Sequence, residues 1–470
     1  MNLPESFTSY TKALIGDGLF GKLLHGLTDE EPPASIRING MKHHIHDEDT
    51  SRQAIPWCEY GMYLDKRPAF TFDPLFHAGH YYVQEASSMF LHHILKSYIS
   101  SPVIMLDMCA APGGKSTTAM GALPEGSTLI ANEPVRQRSQ ILAENIQKWG
   151  NPGTIVTNNY PKDFAKSGMV FDVILCDVPC SGEGMFRKDE DAVREWSTQN
   201  VENCRNLQRE IVAQAWKCLS EGGLLVYSTC TFNAKENEEN VKWISEELGA
   251  EILPVAIEEQ WGITGSLLKG FQKPVYRFLP GVTKGEGLFM AALRKNGQKE
   301  TATSIGKKKN KKEKKERNNG IKSAQLATSW LTAPDNFNIA QSGNTLTAIP
   351  KPMAGIYATA SEKLKVIHAG VTLGTIKGKD IIPAQGLALS TEFNTAAFPS
   401  VELSYSDALR YLRKEALSLP EDTPQGFVVM TYHGTPLGFS KNIGNRANNL
   451  YPQEWKIKSA RIPDNDVSPL

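Results

Sequence analysis

Two turns of this chain carry thiols beside groups that could use them. One reads Asp177-Val178-Pro179-Cys180-Ser181-Gly182-Glu183-Gly184, the other Ser228-Thr229-Cys230-Thr231. Two thiols and a carboxylate near a cofactor suit covalent catalysis on a pyrimidine. Carbon 5 of cytosine is too weak a nucleophile to attack a methyl donor. A thiolate adding to carbon 6 makes it enamine-like, and an acid at ring nitrogen 3 stabilises the adduct. After methyl transfer a base removes the carbon 5 proton and the thiol leaves. An ordinary thiol has a pKa of about 8.5, so such a site must lower that pKa or remove the proton. Enzymes that methylate exocyclic amines typically place an aromatic residue after Pro-Pro at this turn; here a thiol stands there instead. The plainer alternative is that Cys109, Cys176, Cys180 and Cys230, all in or beside apolar stretches, are buried small hydrophobes. The seven cysteines are scattered and odd in number, which does not suit a disulfide framework. Cys176 and Cys180 form a C-x3-C, but no second Cys/His pair follows at finger or ribbon spacing, so no metal site is expected.

A third turn, Asp107-Met108-Cys109-Ala110-Ala111-Pro112-Gly113-Gly114-Lys115-Ser116, has the glycines that let backbone approach a ligand, ahead of a helix N-terminus. Gly114-Lys115-Ser116 looks like the end of a P-loop, but that pattern needs glycine where this chain has Cys109. The dinucleotide pattern G-x-G-x-x-G also fails. Glu133 ends the next strand, where a carboxylate commonly binds ribose hydroxyls. An adenosine-bearing cofactor is expected; spacing alone does not choose between a nicotinamide and S-adenosylmethionine.

These turns need elements to hold them. Apolar runs at 103–108, 127–133, 154–157, 171–177, 223–230 and 287–295 read as strands. Helices are expected from Pro134 to Trp149 (apolar Ile141, Leu142, Ile146 and Trp149), from Leu207 to Leu219 with Gly222-Gly223 ending it, and from Ala234 to Leu248. Alternating strands and helices predict a parallel sheet covered on both faces, with ligands at the carboxyl ends of its strands. The expected domains are an N-terminal extension (1–100), the α/β sheet domain (101–297), a basic linker (298–319) and a C-terminal α+β region (320–470). The formal net charge is zero, but Lys307 to Arg317 concentrates positive charge, as a solvated linker or a polyanion-binding tract would. No apolar run is long enough for a membrane helix, and the N-terminus lacks a signal-peptide pattern, so a cytoplasmic location is expected.

Together the stretches 107–116, 131–133, 177–189 (DVPCSGEGMFRKD) and 228–238 (STCTFNAKENE) resemble the Sun/Fmu-type RNA 5-methylcytosine methyltransferases. SIRIN (35–39) and HAGHYYVQEASSM (77–89) resemble that family's N-terminal motifs, and YRFLP (276–280) with GEGLFMAALRK (285–295) its closing strands. The match spans about residues 1–297. The C-terminal extension resembles the bacterial F-type ribosomal small-subunit branch, with a PUA-like end carried by residues 426–457. The resemblance implies a Rossmann-like sheet with S-adenosylmethionine on Cys109, Ala110, Ala111, Pro112, Gly113, Gly114, Lys115, Glu133 and Asp177. It implies Cys230 as nucleophile, Cys180 assisting release, Asp177 near cytosine nitrogen 3, and Lys115 linking cofactor and aspartate. Where the family often has an acid after the third strand, this chain has Asn159, with Asn158 beside it as the alternative adenine contact. RNA, most simply ribosomal, is the expected partner, with Lys441, Arg446 and Lys456 meeting phosphates and Tyr432 or Tyr451 stacking on a base. The same chemistry on tRNA, a DNA cytosine methyltransferase using Cys180, and a non-catalytic RNA-binding factor are the rival readings.

Overall fold

The computed structural model describes residues 3–43, 53–297, 326–459, 463 and 465–470. The basic tract at 307–317 lies outside them. Helix α1 (Glu5–Thr28) leads into an antiparallel sheet of β1 (Ala34–Ile38), β2 (Ala54–Ile55), β3 (Cys58–Leu64) and β4 (Tyr81–Val83), with the short α2 (Pro74–His77) before β4. Helix α3 (Phe90–Tyr98) then enters the central unit. There β5 (Ile104–Asp107), α4 (Gly114–Ala122), β6 (Thr128–Asn132), α5 (Arg136–Trp149), β7 (Thr154–Thr157), α6 (Pro161–Ser167) and β8 (Phe171–Asp177) follow in strict alternation. After α7 (Glu190–Glu195) and α8 (Thr198–Cys218) come β9 (Leu219–Thr229), α9 (Glu238–Glu247), β10 (Ala250–Leu253), β11 (Tyr276–Phe278) and β12 (Leu288–Lys295).

The sheet runs β10-β12-β9-β8-β5-β6-β7, parallel from β9 to β7 and closed by antiparallel β12. Its central strands are buried on both faces: Met105, Leu106, Ile130, Val173, Ile174 and Leu225 are fully covered. That is why they read as continuous apolar runs rather than alternating ones. Each such side chain contributes about 1.5–3 kcal/mol on burial.

The expected strands are all present. Three helix expectations are corrected. Helix α9 begins at Glu238 rather than Ala234, because residues 234–237 form a turn, with the Glu236 N–H donating to Asn233 Oδ1 at 2.8 Å. Helix α8 begins at Thr198, nine residues before Leu207, because the Ser197 hydroxyl caps it by accepting the Asn200 N–H at 3.1 Å. It ends at Cys218 without using Gly222-Gly223, since Leu219 already pairs with Phe171 in the sheet. In α5, Ile141 is 46% exposed while Leu142, Ile146 and Trp149 are buried. The helix packs one narrow stripe, and Ile141 lies beside it.

The C-terminal region forms β13 (Phe337–Ser342), β14 (Thr345–Pro350), α10 (Ala354–Lys363), β15 (Val366–Ala369), β16 (Val371–Lys377) and β17 (Asp380–Pro383). A further sheet holds β18 (Ser400–Glu402), β19 (Gly426–Tyr432), β20 (Thr435–Asn442) and β21 (Ala447–Asn449). It is not a unit apart. Strand β15 pairs antiparallel with β7, adding an edge strand to the central sheet. An exposed β7 edge would offer unpaired backbone groups, and β15 covers them. Tyr432 and Tyr451, expected to stack on bases, are core residues. Tyr451 is fully buried against Tyr411 and Trp455, and the Tyr432 hydroxyl donates to Asp466. Arg446 is exposed, Lys456 is half-buried, and Lys441 lies 3.8 Å from Asp380.

Candidate active site

Strands β8 and β9 are parallel neighbours with Asp177 opposite Ser228, so the two cysteine turns leave the sheet side by side. They touch through Gly184, whose N–H donates to the Cys230 carbonyl at 2.7 Å. A Cβ there would lie 2.5 Å from Gly287 O and 2.8 Å from Cys230 O, so only glycine allows the approach. The result is a thiol pair, with Cys180 Sγ and Cys230 Sγ 3.1 Å apart. The Cys230 N–H donates to Cys180 Sγ at 3.4 Å. The hydrogen bond with Cys230, followed by burial, pushes the Cys180 thiol well above its ordinary pKa.

Behind the thiols lies a polar network that sequence reasoning did not single out. Glu236 accepts from the Ser181 N–H (3.0 Å), the Ser181 hydroxyl (2.5 Å), Gln208 Nε2 (2.6 Å) and Asn233 Nδ2 (2.8 Å). Glu183 accepts from Phe232 N (2.6 Å), Asn233 N (2.9 Å) and Trp196 Nε1 (2.9 Å). Each acid thus ties the Cys180 turn to the Cys230 turn or to the helices beneath. Both were present in quoted motifs, but partners some fifty positions apart are not legible as partners. Burial, reinforced by Glu183, raises Glu236 to about 7. A carboxyl raised in the folded state contributes stability that is complete below about 4.5, its unfolded value, and is lost as pH rises through about 7. The melting temperature of Glu236→Gln should therefore change less than that of wild type between these pH values. Parallel curves from a series of thermal melts would exclude this linkage.

On the other side of the cysteines, Lys115 Nζ donates to Asp177 Oδ2 at 2.9 Å. Burial opposes the lysine's charge, but Asp177 outweighs it and the lysine's pKa is raised. Asp177 Oδ1 has no partner among the described residues. Asp107, at the end of β5, accepts from the Ser116 hydroxyl at 2.7 Å, while its buried Oδ1 has no partner among the described residues. Burial raises its carboxyl to about 7.

The glycine turn is held from α5: Arg138 Nη2 donates to Ala111 O (3.1 Å) and Asn145 Nδ2 to Pro112 O (2.8 Å). The Ala111–Pro112 peptide is cis. Gly113 sits at φ 117°, a region that side chains rarely enter, and turns the chain into α4. Cys109 is mostly enclosed, and burial pushes its thiol well up. The Ala110 N–H donates to Asn132 O at 2.8 Å. Glu133 is nearly covered; it accepts from Val135 N at 2.9 Å and lies 3.4 Å from Arg138. Asn158 and Asn159 follow β7 at the same edge. Every residue singled out for the two sites thus lies at the carboxyl edge of one sheet. No cluster able to hold a metal occurs among the described residues.

Three family models match this chain. They are the 16S rRNA methyltransferase RsmB/F model over residues 100–294, the N-terminal domain of 16S rRNA methyltransferase RsmF over 3–86, and the methyltransferase RsmF PUA domain over 398–457. The ribosomal RNA small subunit methyltransferase F of Escherichia coli O139:H28 is 31% identical over 450 residues, covering 89% of each chain. This chain belongs to that family. The enzyme of the same name from Klebsiella pneumoniae is 29% identical, again over 89% of each chain. Among solved structures, NSun6 from Pyrococcus horikoshii superposes with a TM-score of 0.52 at 22% identity, over 63% of this chain and 99% of that one. A methyltransferase homologue from the same organism gives 0.53 at 24%, over 62% and 95%. These two likenesses concern the fold. The chain is an RNA methyltransferase, and its cofactor is S-adenosylmethionine.

The residues present fit that cofactor. The Asp107 Oδ1 without a partner among the described residues, the left-handed Gly113 and the small side chains of Ala110 and Ala111 offer an acceptor and the close backbone approach that an adenosyl group would use. No helix among the described residues is long and apolar enough to cross a membrane.

Proposed function

We propose that the protein methylates carbon 5 of a cytosine in small-subunit ribosomal RNA, through a covalent bond between Cys230 and carbon 6 of the base. The observation that carries this reading is the thiol pair, 3.1 Å apart and one turn from the Lys115–Asp177 ion pair. A methylase of exocyclic amines or ribose hydroxyls needs no thiol pair. Small-subunit RNA as the substrate follows the names of the relatives.

S-adenosylmethionine supplies the electrophilic methyl group. The protein's part is to activate and hold the base. By the family resemblance the attacking role falls to Cys230, which gives up its thiol proton to a base as its sulfur bonds carbon 6. Asp177 directs Oδ1 at the nitrogen 3 side, while Lys115 fixes its other oxygen at 2.9 Å. After methylation a base, solvent water in the simplest case, takes the carbon 5 proton, the freed electron pair restores the carbon 5–carbon 6 double bond, and Cys230 leaves as the thiolate with the electrons of the carbon 6–sulfur bond. Cys180, in contact with the departing sulfur, assists that step. The cofactor's ribose is assigned to Glu133 and its adenine to the Asn159 side of the edge. Lys441, Arg446 and Lys456 are assigned to RNA phosphates on the C-terminal region. The target base must leave its stack, which costs a few kcal/mol in a duplex and less in a loop.

The test is to incubate the full chain with S-adenosylmethionine and, separately, small-subunit RNA, assembled small subunits and DNA, then digest to nucleosides for mass spectrometry. The expected product is 5-methylcytidine from ribosomal RNA. Methyl groups on an exocyclic nitrogen or a ribose oxygen, or on DNA alone, would refute the proposal.

A further inference from the structure

The turn after β7 has its backbone donors already engaged. The N–H of Asn158 goes to Lys365 O (2.9 Å), that of Asn159 to Asn132 Oδ1 (3.0 Å) and that of Tyr160 to Asp163 Oδ2 (2.9 Å). The Asn158 side chain is engaged at both ends. Its Nδ2 donates to Glu133 O and Pro134 O, each at 2.9 Å, and its Oδ1 accepts from Lys365 Nζ at 2.8 Å. Asn159 differs. Its Oδ1 accepts the backbone N–H of Lys365 at 3.0 Å, and this fixes which end of the amide is oxygen, since an N–H cannot donate to an NH2 group. The Asn159 Nδ2 is then the one amide donor of residues 158–160 without a partner among the described residues.

Lys365 comes from the C-terminal region. It stands one residue before β15, where that strand extends the cofactor-binding sheet beyond β7. Asn132 holds this corner to the glycine turn, its Nδ2 donating to Met108 O (3.1 Å) and Asn159 O (2.9 Å). The free donor thus sits one side chain away from the turn that receives the cofactor.

We propose that Asn159 reads the cofactor's adenine through ring nitrogen 1, an acceptor, rather than through the exocyclic amine, and that Lys365 sets this choice by holding the Asn159 oxygen. The inference rests on the cofactor-binding reading of this edge. Adenine presents an acceptor at nitrogen 1 beside a donor at the 6-amino group, and a free NH2 can pair only with the acceptor. An aspartate in the same place would present oxygen and pair with the amine. The C-terminal region is thereby part of the cofactor site as well as of any RNA interface.

Calorimetry of the full chain with S-adenosylhomocysteine, its 1-deaza analogue and its 6-deamino analogue tests this directly. Wild type should bind the 1-deaza analogue about 3- to 10-fold more weakly than the parent, the net worth of one hydrogen bond, and the 6-deamino analogue within about 2-fold of it. Asn159→Asp should reverse the preference. Lys365→Pro removes the N–H, and the preceding Leu364 already has φ −126° and ψ 160°, which a following proline tolerates. This variant should lose discrimination at nitrogen 1, whereas Lys365→Ala, which keeps the N–H, should retain it. A wild type indifferent to the 1-deaza change, or sensitive to the 6-deamino change instead, overturns the inference. No binding of S-adenosylhomocysteine by the wild type would overturn the cofactor reading beneath it.

Discussion

Cys180→Ala should accumulate a species in which protein and RNA stay joined through denaturing electrophoresis, while Cys230→Ala should form none. The sulfurs are 3.1 Å apart, so either could reach the same carbon, and position alone does not separate their roles. The proposed roles rest on the family resemblance, which gives attack to the Cys230 turn and release to the Cys180 turn. Removing Cys180 leaves addition and methylation intact and blocks release. Removing Cys230 removes the bond to carbon 6, and activity should fall to background, a drop on the order of 10⁴-fold or more. The measurement compares gel-shifted protein and 5-methylcytidine yield for wild type and both variants. The opposite pattern would make Cys180 the nucleophile, as in the DNA-enzyme reading. An absence of adduct and product in every form, with the physiological RNA present, would favour a binding factor.

The second large effect should come from Arg277→Met. Arg277 on β11 and Glu238 at the start of α9 are both fully buried and meet at 2.5 Å. Arg277 also donates to Phe232 O at 2.6 Å and lies 5.1 Å from the centre of the Phe289 ring. Breaking such a pair from one side leaves a charge without its partner in the interior and costs about 3–5 kcal/mol. Replacing both members, Arg277→Met with Glu238→Gln, removes that charge and should recover most of the loss. Urea denaturation of the two variants decides the matter; equal destabilisation would show that packing, not the orphaned charge, sets the cost. Because Phe232 lies two residues beyond Cys230, a folded Arg277 variant should also turn over more slowly, by loosening the nucleophile's turn.

The central α/β architecture was legible because a parallel sheet buried on both faces writes itself as unbroken apolar runs, and β5 through β9 do so. The thiols, Asp177, Lys115 and the glycine turn were legible for a different reason. Each lies in a short local pattern whose residue types suit one chemistry. The start of α8 at Thr198 was missed because its cap, Ser197, precedes the apolar stripe. The end of α8 was anticipated to within one residue, although pairing of Leu219 with Phe171, rather than the glycines, stops the helix.

Tertiary structure alone decided the rest, and in each case the deciding partner is far along the chain. Glu183 and Glu236 became supports of the cysteine turns through hydrogen bonds from residues on other elements. Tyr432 and Tyr451 looked like stacking residues, but burial made them core. The C-terminal region read as a separate unit, yet β15 joined the β7 edge and brought Lys365 to Asn159. Sequence determined which groups exist and the local turns that present them, because backbone geometry and apolar periodicity are local. Which end of the Asn159 amide is left free, and which acids brace the two cysteine turns, depend on contacts closed across the fold.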